Sequence, residues 1–254
     1  MASATGIPER PPADDAIIDA GGRETEPLLG RPGDAAQHSG QSFLKNLVLG
    51  TGVLAQFGVI ILFVLIWVSV FTKPLILFSG HPLAQSLGIL TLVQSILALQ
   101  PTHTPEQKRL GRGVHASLNL LAFLFLVAGV VIIEYNKLAS HGAHFHSVHG
   151  YLGVITSIVL ALQYLVGFTM WATPRLYGGV DNARALYKYH RWSGYLVLVL
   201  LLATVAAATQ TSYNEAVLKI KLWSVLLLSV LILAGVIPRI QKHKLGFSGP
   251  ASST

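Results

Sequence analysis

The feature that most constrains this chain is a set of four apolar stretches that each carry one histidine near one end. One of them reads HPLAQSLGILTLVQSILALQ from His81, and the others surround His115, His149 and His190. Each has about 20 nearly uncharged residues, the length that an α-helix needs to cross a hydrocarbon core of about 30 Å. A histidine inside such a segment is costly unless it has a partner or a function. Four helices with one inward imidazole each predict a bundle that holds a metal or haem in its middle.

Composition indicates a membrane protein. The 254 residues are 52% hydrophobic and 11% charged, whereas soluble domains carry about 25% charged residues. The sequence contains no cysteine, which excludes Fe–S clusters and thiolate ligation of haem and leaves histidine as the strongest available ligand. The net charge of +7 comes from basic residues in short loops, where we interpret it as a topological signal and not as a nucleic-acid interface.

The sequence predicts an all-α membrane protein with six transmembrane helices. The predicted spans are approximately residues 47–71, 80–100, 113–133, 148–171, 187–208 and 222–237. Spans 2 to 5 carry the four histidines and are predicted to form a central four-helix bundle. Residues 1–42 are rich in Gly, Pro, Ala and Asp and are predicted to be a disordered tail. Residues 43–245 make up the six-span domain, and residues 246–254 a short second tail.

The distribution of basic residues predicts the orientation in the membrane. With six spans, both termini fall on one side. That side carries Lys45, Lys108, Arg109, Arg112, Arg175, Arg184, Lys188, Arg239, Lys242 and Lys244, whereas the loops on the opposite side carry Lys73, Lys137, Lys219 and Lys221. The positive-inside rule therefore places the termini and the 2–3 and 4–5 loops in the cytosol.

A short motif in the first tail bears on the compartment. Glu24-Thr25-Glu26-Pro27-Leu28-Leu29 fits an acidic dileucine sorting signal, although such hexapeptides are common by chance. On this single match we predict a vacuolar, lysosomal or endosomal membrane in preference to the plasma membrane.

Span direction separates the four histidines into two pairs. Spans 2 and 4 start at the non-cytosolic face, where His81 and His149 lie, and spans 3 and 5 start at the cytosolic face, where His115 and His190 lie. Two facing imidazoles fill both axial positions of a haem iron and leave none for O₂, which favours electron transfer. A pair at each face predicts two haem b groups per chain, in series across the membrane.

Two amides lie close to these histidines in the sequence. Gln85 and Asn119 each follow a candidate ligand by four residues, which puts them on the same helical face as that ligand. Either amide is suited to position an imidazole or to bond a haem propionate, and bridging between helices is the alternative.

An ordered set of motifs resembles the cytochrome b561 family, and its short single-domain branch most closely. The motifs are LFSGHP at His81, KRLGRGVH before His115, HSVHGYLG at His149 and LYKYHRWSGYL at His190. The resemblance spans roughly residues 50–245. It implies six helices, two haems and an ascorbate-dependent transmembrane reductase, with a tendency to form homodimers.

The resemblance also implies roles for the matching residues. His81 and His149 would bind the iron of the non-cytosolic haem, and His115 and His190 that of the cytosolic haem. Electrons would pass from cytosolic ascorbate, or a similar reductant, to monodehydroascorbate or a ferric chelate on the other side. The cytosolic ascorbate pocket would use basic residues at the start of span 3, with further candidates just before His190. The matching residues are Lys108, Arg109 and Arg112, and then Lys188 and Tyr187.

A basic cluster suits an anionic reductant through charge-assisted hydrogen bonds. A purely topological role for these charges is the alternative.

The non-cytosolic loop carries its own candidates and a departure from the family pattern. Ser147-Val148-His149-Gly150-Tyr151 differs from the Ser-Leu-His-Ser-Trp of longer members, so the acceptor pocket is predicted to differ. His141, His144 and His146 form a candidate loop for ferric iron or another metal, with plain solvated histidines as the alternative. His146 is the rival to His149 as a haem ligand, but it lies outside the apolar run.

Two other functions compete with the reductase. A flavin-fed ferric reductase stacks both haems between the same two helices, with two histidines on each, and this pattern is missing here. A six-span transporter that uses intramembrane histidines as a proton relay, without haem, is the second alternative. Such relays are expected to contain intramembrane carboxylates, and the spans carry essentially none apart from Glu134 at one end.

Overall fold

The fold is a bundle of six long helices, seen in a computed structural model that describes residues 35–241 and Leu245. The helices are α1 (Gly52–Phe71), α2 (Gly80–Leu99), α3 (Pro105–Ser140), α4 (Val148–Ala172), α5 (Tyr187–Ala208) and α6 (Leu222–Val236). Six helical segments are long and apolar enough to cross a membrane, and no strand occurs in the described residues. The predicted all-α, six-span fold class is confirmed. The dileucine motif and most of both predicted tails lie outside the described residues.

Short helices connect or flank the long ones. They are the 3₁₀ helices Phe43–Leu47, Leu77–Ser79, Pro174–Tyr177 and Ile237–Arg239, the α-helix Val180–Ala185 and the π-helix Asn214–Leu218. Since α2 and α4 run opposite to α3 and α5, the starts of α3 and α5 meet at one end of the bundle and the starts of α2 and α4 at the other. We call these the His115 end and the His81 end.

Helix α3 is longer than its apolar run predicts. It has 36 residues, which at 1.5 Å per residue exceeds the thickness of a hydrocarbon core of about 30 Å. A capping box sets its start, since the Thr104 hydroxyl accepts from the Gln107 backbone N–H and the Gln107 side chain accepts from that of Thr104. His141 ends it in the left-handed conformation, with φ of 52°. Hydropathy detects only the apolar middle of this helix.

The helices pack as three neighbouring pairs, α2 with α3, α4 with α5 and α1 with α6. Glycine allows a close approach of α2 and α3. A Cβ on Gly88 would lie 2.6 Å from Leu126 Cγ of α3, so this glycine serves the α2–α3 contact. The α2–α3 pair and the α4–α5 pair make few close backbone contacts with each other. Phe123 and Tyr164 bridge the two pairs with ring centres 4.6 Å apart.

The apolar core lies where α1, α2, α5 and α6 meet. Its largest fully buried side chains include Leu62, Leu97, Leu198 and Ile232, one from each of these helices. The outer faces of α1, α3 and α4 instead expose many large apolar side chains. A bilayer accommodates such faces, because lipid tails are as apolar as leucine.

The segment before α1 packs on the His115 end. The Gln37 backbone N–H donates to Pro101 O at 2.9 Å, which places part of the predicted first tail against the 2–3 loop. The buried Arg239 donates through Nη2 to Asn46 O at 2.7 Å and to Leu97 O at 3.1 Å. The Arg239 guanidinium, just after the end of α6, therefore contacts both the segment that precedes α1 and the end of α2.

Candidate functional site

The structure brings the four intramembrane histidines together as two pairs. His81 and His149 lie near the starts of α2 and α4, and their ring centres are 6.1 Å apart with an interplanar angle of 78°. His115 and His190 lie near the starts of α3 and α5, close enough for the charges of the two rings to interact. All four side chains are partly buried.

The backbone fixes the tautomer of the pair at the His81 end. His81 Nδ1 lies 2.8 Å from Gly129 O, and His149 Nδ1 lies 2.9 Å from Thr204 O. A carbonyl oxygen only accepts, so each Nδ1 carries the proton and donates it. Each Nε2 therefore keeps its lone pair, which is the state in which imidazole binds a metal, with the second ring nitrogen anchored as in known metal sites.

The spacing of these two rings fits a single iron between them. A bond from metal to imidazole nitrogen is about 2 Å long. Because the ring centre lies roughly 1 Å behind that nitrogen, two imidazoles on opposite sides of one iron have centres about 6 Å apart. The observed 6.1 Å meets this requirement, so His81 and His149 fit the axial positions of a haem.

A hydroxyl group positions His115. Ser95 Oγ of α2 lies 2.8 Å from His115 Nδ1, and the Ser95 carbonyl oxygen lies 3.3 Å from the same nitrogen. The Asn119 amide donates to Ser95 Oγ and, at 2.7 Å, to His115 O. Asn119 thus positions the imidazole, whereas Gln85 bridges helices by donating to Leu126 O at 3.0 Å. Ser95 was not a candidate on sequence grounds.

His190 is held differently from the other three histidines. Its Nδ1 is buried without a hydrogen-bond partner in the described structure. Gln163 donates to the His190 backbone carbonyl at 2.7 Å, and Ser193 Oγ donates to Gln163 Oε1 at 2.6 Å. A Cβ on Gly167 would lie 2.8 Å from His190 Cε1, so only glycine leaves room for the ring there.

Open space lies directly beside this ring. A cavity of about 370 Å³ is lined by residues of α4, α5 and the link between them, among them His190 and Ser193. A flat cofactor therefore has room beside the His190 ring. The ring has a buried Nδ1 without a partner in the described structure, Gly167 leaves space next to it, and the cavity adjoins it.

The two helix pairs repeat one arrangement. The interval from His81 to Ser95 on α2 equals the interval from His149 to Gln163 on α4. Gly129 and Thr204 follow the histidines of α3 and α5 at the same interval. This interval is about four helical turns and rises about 21 Å, so each helix carries a histidine at one level and a group contacting a histidine at the other. The equal spacing of Ser95, Gln163, Gly129 and Thr204 from the preceding histidines is the signal in the sequence that could have identified these contacting groups.

The basic candidates lie at the His115 end. In the first turns of α3, Lys108 is partly buried, and Arg109 and Arg112 are exposed. Lys188 lies in the first turn of α5, beside Tyr187. Its ammonium is 4.9 Å from the centre of the Tyr189 ring. Arg109 lies on the outer face of α3 together with Glu106 and Leu110.

Sequence reasoning missed one cation at this end. Arg191 follows His190 directly and lies close enough for its charge to act on that ring.

The loop histidines at the His81 end do not converge. His144 Nε2 lies 2.9 Å from Glu134 Oε2, His146 Nδ1 donates to Ala143 O, and His141 caps α3. Within residues 35–241 and Leu245, no group of three or more His, Asp or Glu side chains is placed to hold a metal ion. The loop therefore offers one imidazole–carboxylate pair.

Comparison with known proteins finds a matching family model and several similar proteins. The family model for eukaryotic cytochrome b561 matches residues 80–216. A lysosomal membrane ascorbate-dependent ferrireductase of Danio rerio is 30% identical over 126 residues, 48% of this chain and 50% of that protein. A transmembrane ascorbate-dependent reductase of Homo sapiens is 26% identical over 129 residues, 50% of each chain. A lysosomal membrane ascorbate-dependent ferrireductase of Mus musculus is 27% identical over 177 residues, 66% of this chain and 70% of that protein. The chain spans about half the length of the first two relatives.

Proposed function

Because the chain belongs to the eukaryotic cytochrome b561 family, we propose that it is a transmembrane one-electron reductase that binds two b-type haems. The observation that carries this proposal is the pair His81–His149, whose Nδ1 protons are held by backbone carbonyls and whose ring centres are 6.1 Å apart. Two Nε2 lone pairs at that spacing suit one iron. The names of the relatives, all ascorbate-dependent reductases, support the same function.

Four histidines of this chain would supply the axial ligands. His81 and His149 would hold one haem, and His115 and His190 the other. Bound haem would supply one-electron chemistry, and two protein imidazoles on each iron would leave no position for O₂. The protein fixes the imidazoles through Gly129 O, Thr204 O and Ser95, as in other sites where outer groups orient metal ligands.

The donor side would be the His115 end, facing the cytosol. Basic side chains there attract an anionic reductant and hold it by charge-assisted hydrogen bonds. We assign this role to Lys108, Arg109 and Arg112, with Lys188 and Tyr187 as further contacts. Ascorbate is the donor proposed, and a chemically similar enediol would be bound in the same way.

The acceptor side would be the His81 end, facing the lumen of a lysosomal, vacuolar or endosomal compartment. Monodehydroascorbate and ferric chelates are the proposed acceptors, in keeping with the ferrireductase relatives. Of the predicted loop, His144 beside Glu134 is the pair with ligands suited to ferric iron. We propose it as a transient docking contact for the substrate.

The proton-relay alternative predicts different behaviour of the same imidazoles. A relay histidine must accept a proton on one ring nitrogen and release one from the other. In His81 and His149 the Nδ1 protons are committed to carbonyl acceptors, so release from that side breaks a buried hydrogen bond. This arrangement favours a fixed metal ligand over a relay.

Vesicle experiments test the function directly. The purified protein is reconstituted into liposomes loaded with ascorbate, and formation of ferrous iron from an external ferric chelate is followed with a ferrous-specific dye. We expect iron reduction that needs the protein and is abolished in His115→Ala. Protein-free vesicles are the control. Proton movement without iron reduction, in protein that binds no haem, would overturn the proposal in favour of the relay.

A further inference from the structure

The acidic and basic residues of this chain are concentrated in different regions. Of the 11 Asp and Glu residues, four lie after residue 34 and the other seven precede it. We call residues 1–34 the acidic segment. It contains seven acids and three arginines, a net side-chain charge of −4, whereas the rest of the chain carries 15 Lys and Arg and four acids, a net charge of +11. Regions of opposite net charge attract each other.

Positive charge surrounds the histidine pair at the His115 end. Five cations lie within about two helical turns of His115 or His190, and we call them the basic face: Lys108, Arg109, Arg112, Lys188 and Arg191.

Two acids accompany the basic face among the described residues of this end. Asp181 lies 3.3 Å from Arg184, which is outside the basic face, and Glu106 is close enough to Arg109 for their charges to interact. Two carboxylates do not balance this number of cations, so the His115 end keeps a net positive charge that favours an anion.

The described chain begins beside the basic face. The Gln37 backbone N–H donates to Pro101 O at 2.9 Å, and the Gln107 amide donates to Gln37 O at 3.2 Å. The amide of the fully buried Asn46 donates to Gln37 Oε1 at 2.9 Å. Gln107 also completes the capping box of α3 and directly precedes Lys108. The acidic segment therefore joins the fold at the first turn of α3.

Chain length allows the acids nearest this junction to meet the basic face. One residue spans at most about 3.6 Å. Asp34, Glu26 and Glu24 precede Gln37 by three, eleven and thirteen residues, so they can reach up to about 11, 40 and 47 Å from it. Lys108 follows Gln107, which contacts Gln37, and is therefore within reach. A tethered group within reach of its site has an effective concentration on the order of millimolar.

We propose that the acidic segment binds the basic face and competes there with the anionic reductant. The competition rests on the proposed function, which places the reductant at the same cations. Exposed ion pairs are individually weak, so a high concentration of reductant displaces the segment. The acidic segment therefore raises KM for the reductant and leaves the maximal rate unchanged.

Carbodiimide cross-linking tests the contact without reference to haem or activity, because this reagent joins a carboxylate to a neighbouring lysine amine. The full chain in detergent is treated at low salt, and linked peptides from the monomeric fraction are identified by mass spectrometry. We expect carboxylates of the acidic segment joined to Lys108 or Lys188, and loss of these products at high salt. Lys219 and Lys221, at the His81 end, are the internal controls. Equal coupling to the controls, or none to the basic face, would overturn the proposal.

The KM for ascorbate tests the competition. A triple variant of the full chain, with Glu24→Gln, Glu26→Gln and Asp34→Asn, should lower KM roughly 3- to 10-fold at an unchanged maximal rate, the size that a few exposed ion pairs give together. Glu215→Gln, at an exposed position of the His81 end, is the control and should behave as wild type. An unchanged KM in the triple variant, or an equal fall in the control, would overturn the proposal.

The arginines of the acidic segment provide a test of opposite sign. Arg23→Gln combined with Arg31→Gln makes the segment more negative and should raise KM for ascorbate, and a fall in KM would contradict the proposal. Failure of the proposed function is distinguishable from these results. Wild-type protein that binds no haem, or that ascorbate does not reduce, would overturn that function, whereas the cross-linking result would still decide whether the segment binds the basic face.

Discussion

His81 Nδ1 lies 2.8 Å from the carbonyl oxygen of Gly129, and this single contact couples the two levels of the bundle. Gly129 is on the same helix as His115, about four turns farther along. Helix α3 therefore supplies a candidate ligand at one level and the anchor of another ligand at the opposite level. Since α5 does the same through His190 and Thr204, each of these two helices contributes to both proposed haem sites.

The close contact at Gly167 predicts a selective loss of haem. Gly167→Ala would place a Cβ 2.8 Å from His190 Cε1 and push the ring out of its position. We expect the variant to lose the haem at the His115 end and to keep the other. Gly113→Ala is the control, because nothing lies within 4 Å of its added Cβ. Haem quantified per chain distinguishes the two variants, and full occupancy in Gly167→Ala would contradict the proposed ligation by His190.

The buried guanidinium of Arg239 predicts a large stability effect. Arg239→Gln removes the bonds to Asn46 O and Leu97 O and leaves buried carbonyls unpaired, which costs about 2 to 4 kcal/mol. Arg184→Gln at an exposed site, where Asp181 is the partner at 3.3 Å, should cost under about 0.5 kcal/mol. Thermal unfolding in detergent, followed by circular dichroism, measures both. Equal midpoints for the two variants would show that the Arg239 contacts contribute little.

Much of the fold was predictable because a helix that spans a lipid bilayer needs a long apolar segment. The six spans, their order and the fold class follow from apolar length, and the structure moves most span ends by only a few residues. Helix α3 was the exception, since its ends are set by the Thr104–Gln107 capping box and by His141, which hydropathy does not register.

The pairing of the four histidines was predictable from the sequence, and the groups that contact their rings were not. One histidine on each of four successive spans is a rare pattern, and alternating span direction was enough to group them. Gly129 and Thr204 act through backbone carbonyls, which carry no side-chain signal at all. Ser95 and Gln163 look like ordinary polar residues of a membrane helix until their equal spacing from the preceding histidine is compared between the two helix pairs.

The basic residues at the start of α3 predict a charge-dependent donor site. Arg109→Gln and Arg112→Gln should each raise KM for ascorbate by roughly 5- to 30-fold, because a charge-assisted hydrogen bond at an exposed site contributes about 1 to 2 kcal/mol. The maximal rate should change little, and added salt should reduce the difference from wild type. Lys73→Gln, a partly buried lysine at the opposite end, serves as the control. An unchanged KM in both arginine variants would leave these charges with a topological role only.

The loop at the His81 end is expected to affect reduction of a ferric chelate and not reduction of monodehydroascorbate. His144→Ala removes the imidazole that lies 2.9 Å from Glu134 and should raise KM for a ferric chelate several-fold. Reduction of monodehydroascorbate should be unaffected, since it needs no metal ligand. His146→Ala, whose ring donates to Ala143 O, should behave as wild type with both acceptors. Equal effects of the two variants would argue against a specific docking role for His144.

We propose that four histidines hold two haems, and counting haem after the loss of one ligand from each pair is the most direct test. The wild-type protein, His81→Ala and His115→Ala are purified in parallel, and haem per chain is measured together with the ascorbate-reduced minus oxidised spectrum. We expect two low-spin haems per chain in the wild type, at least partly reduced by ascorbate, and one in each variant. Folded wild-type protein with no haem, or variants that retain both, would contradict it.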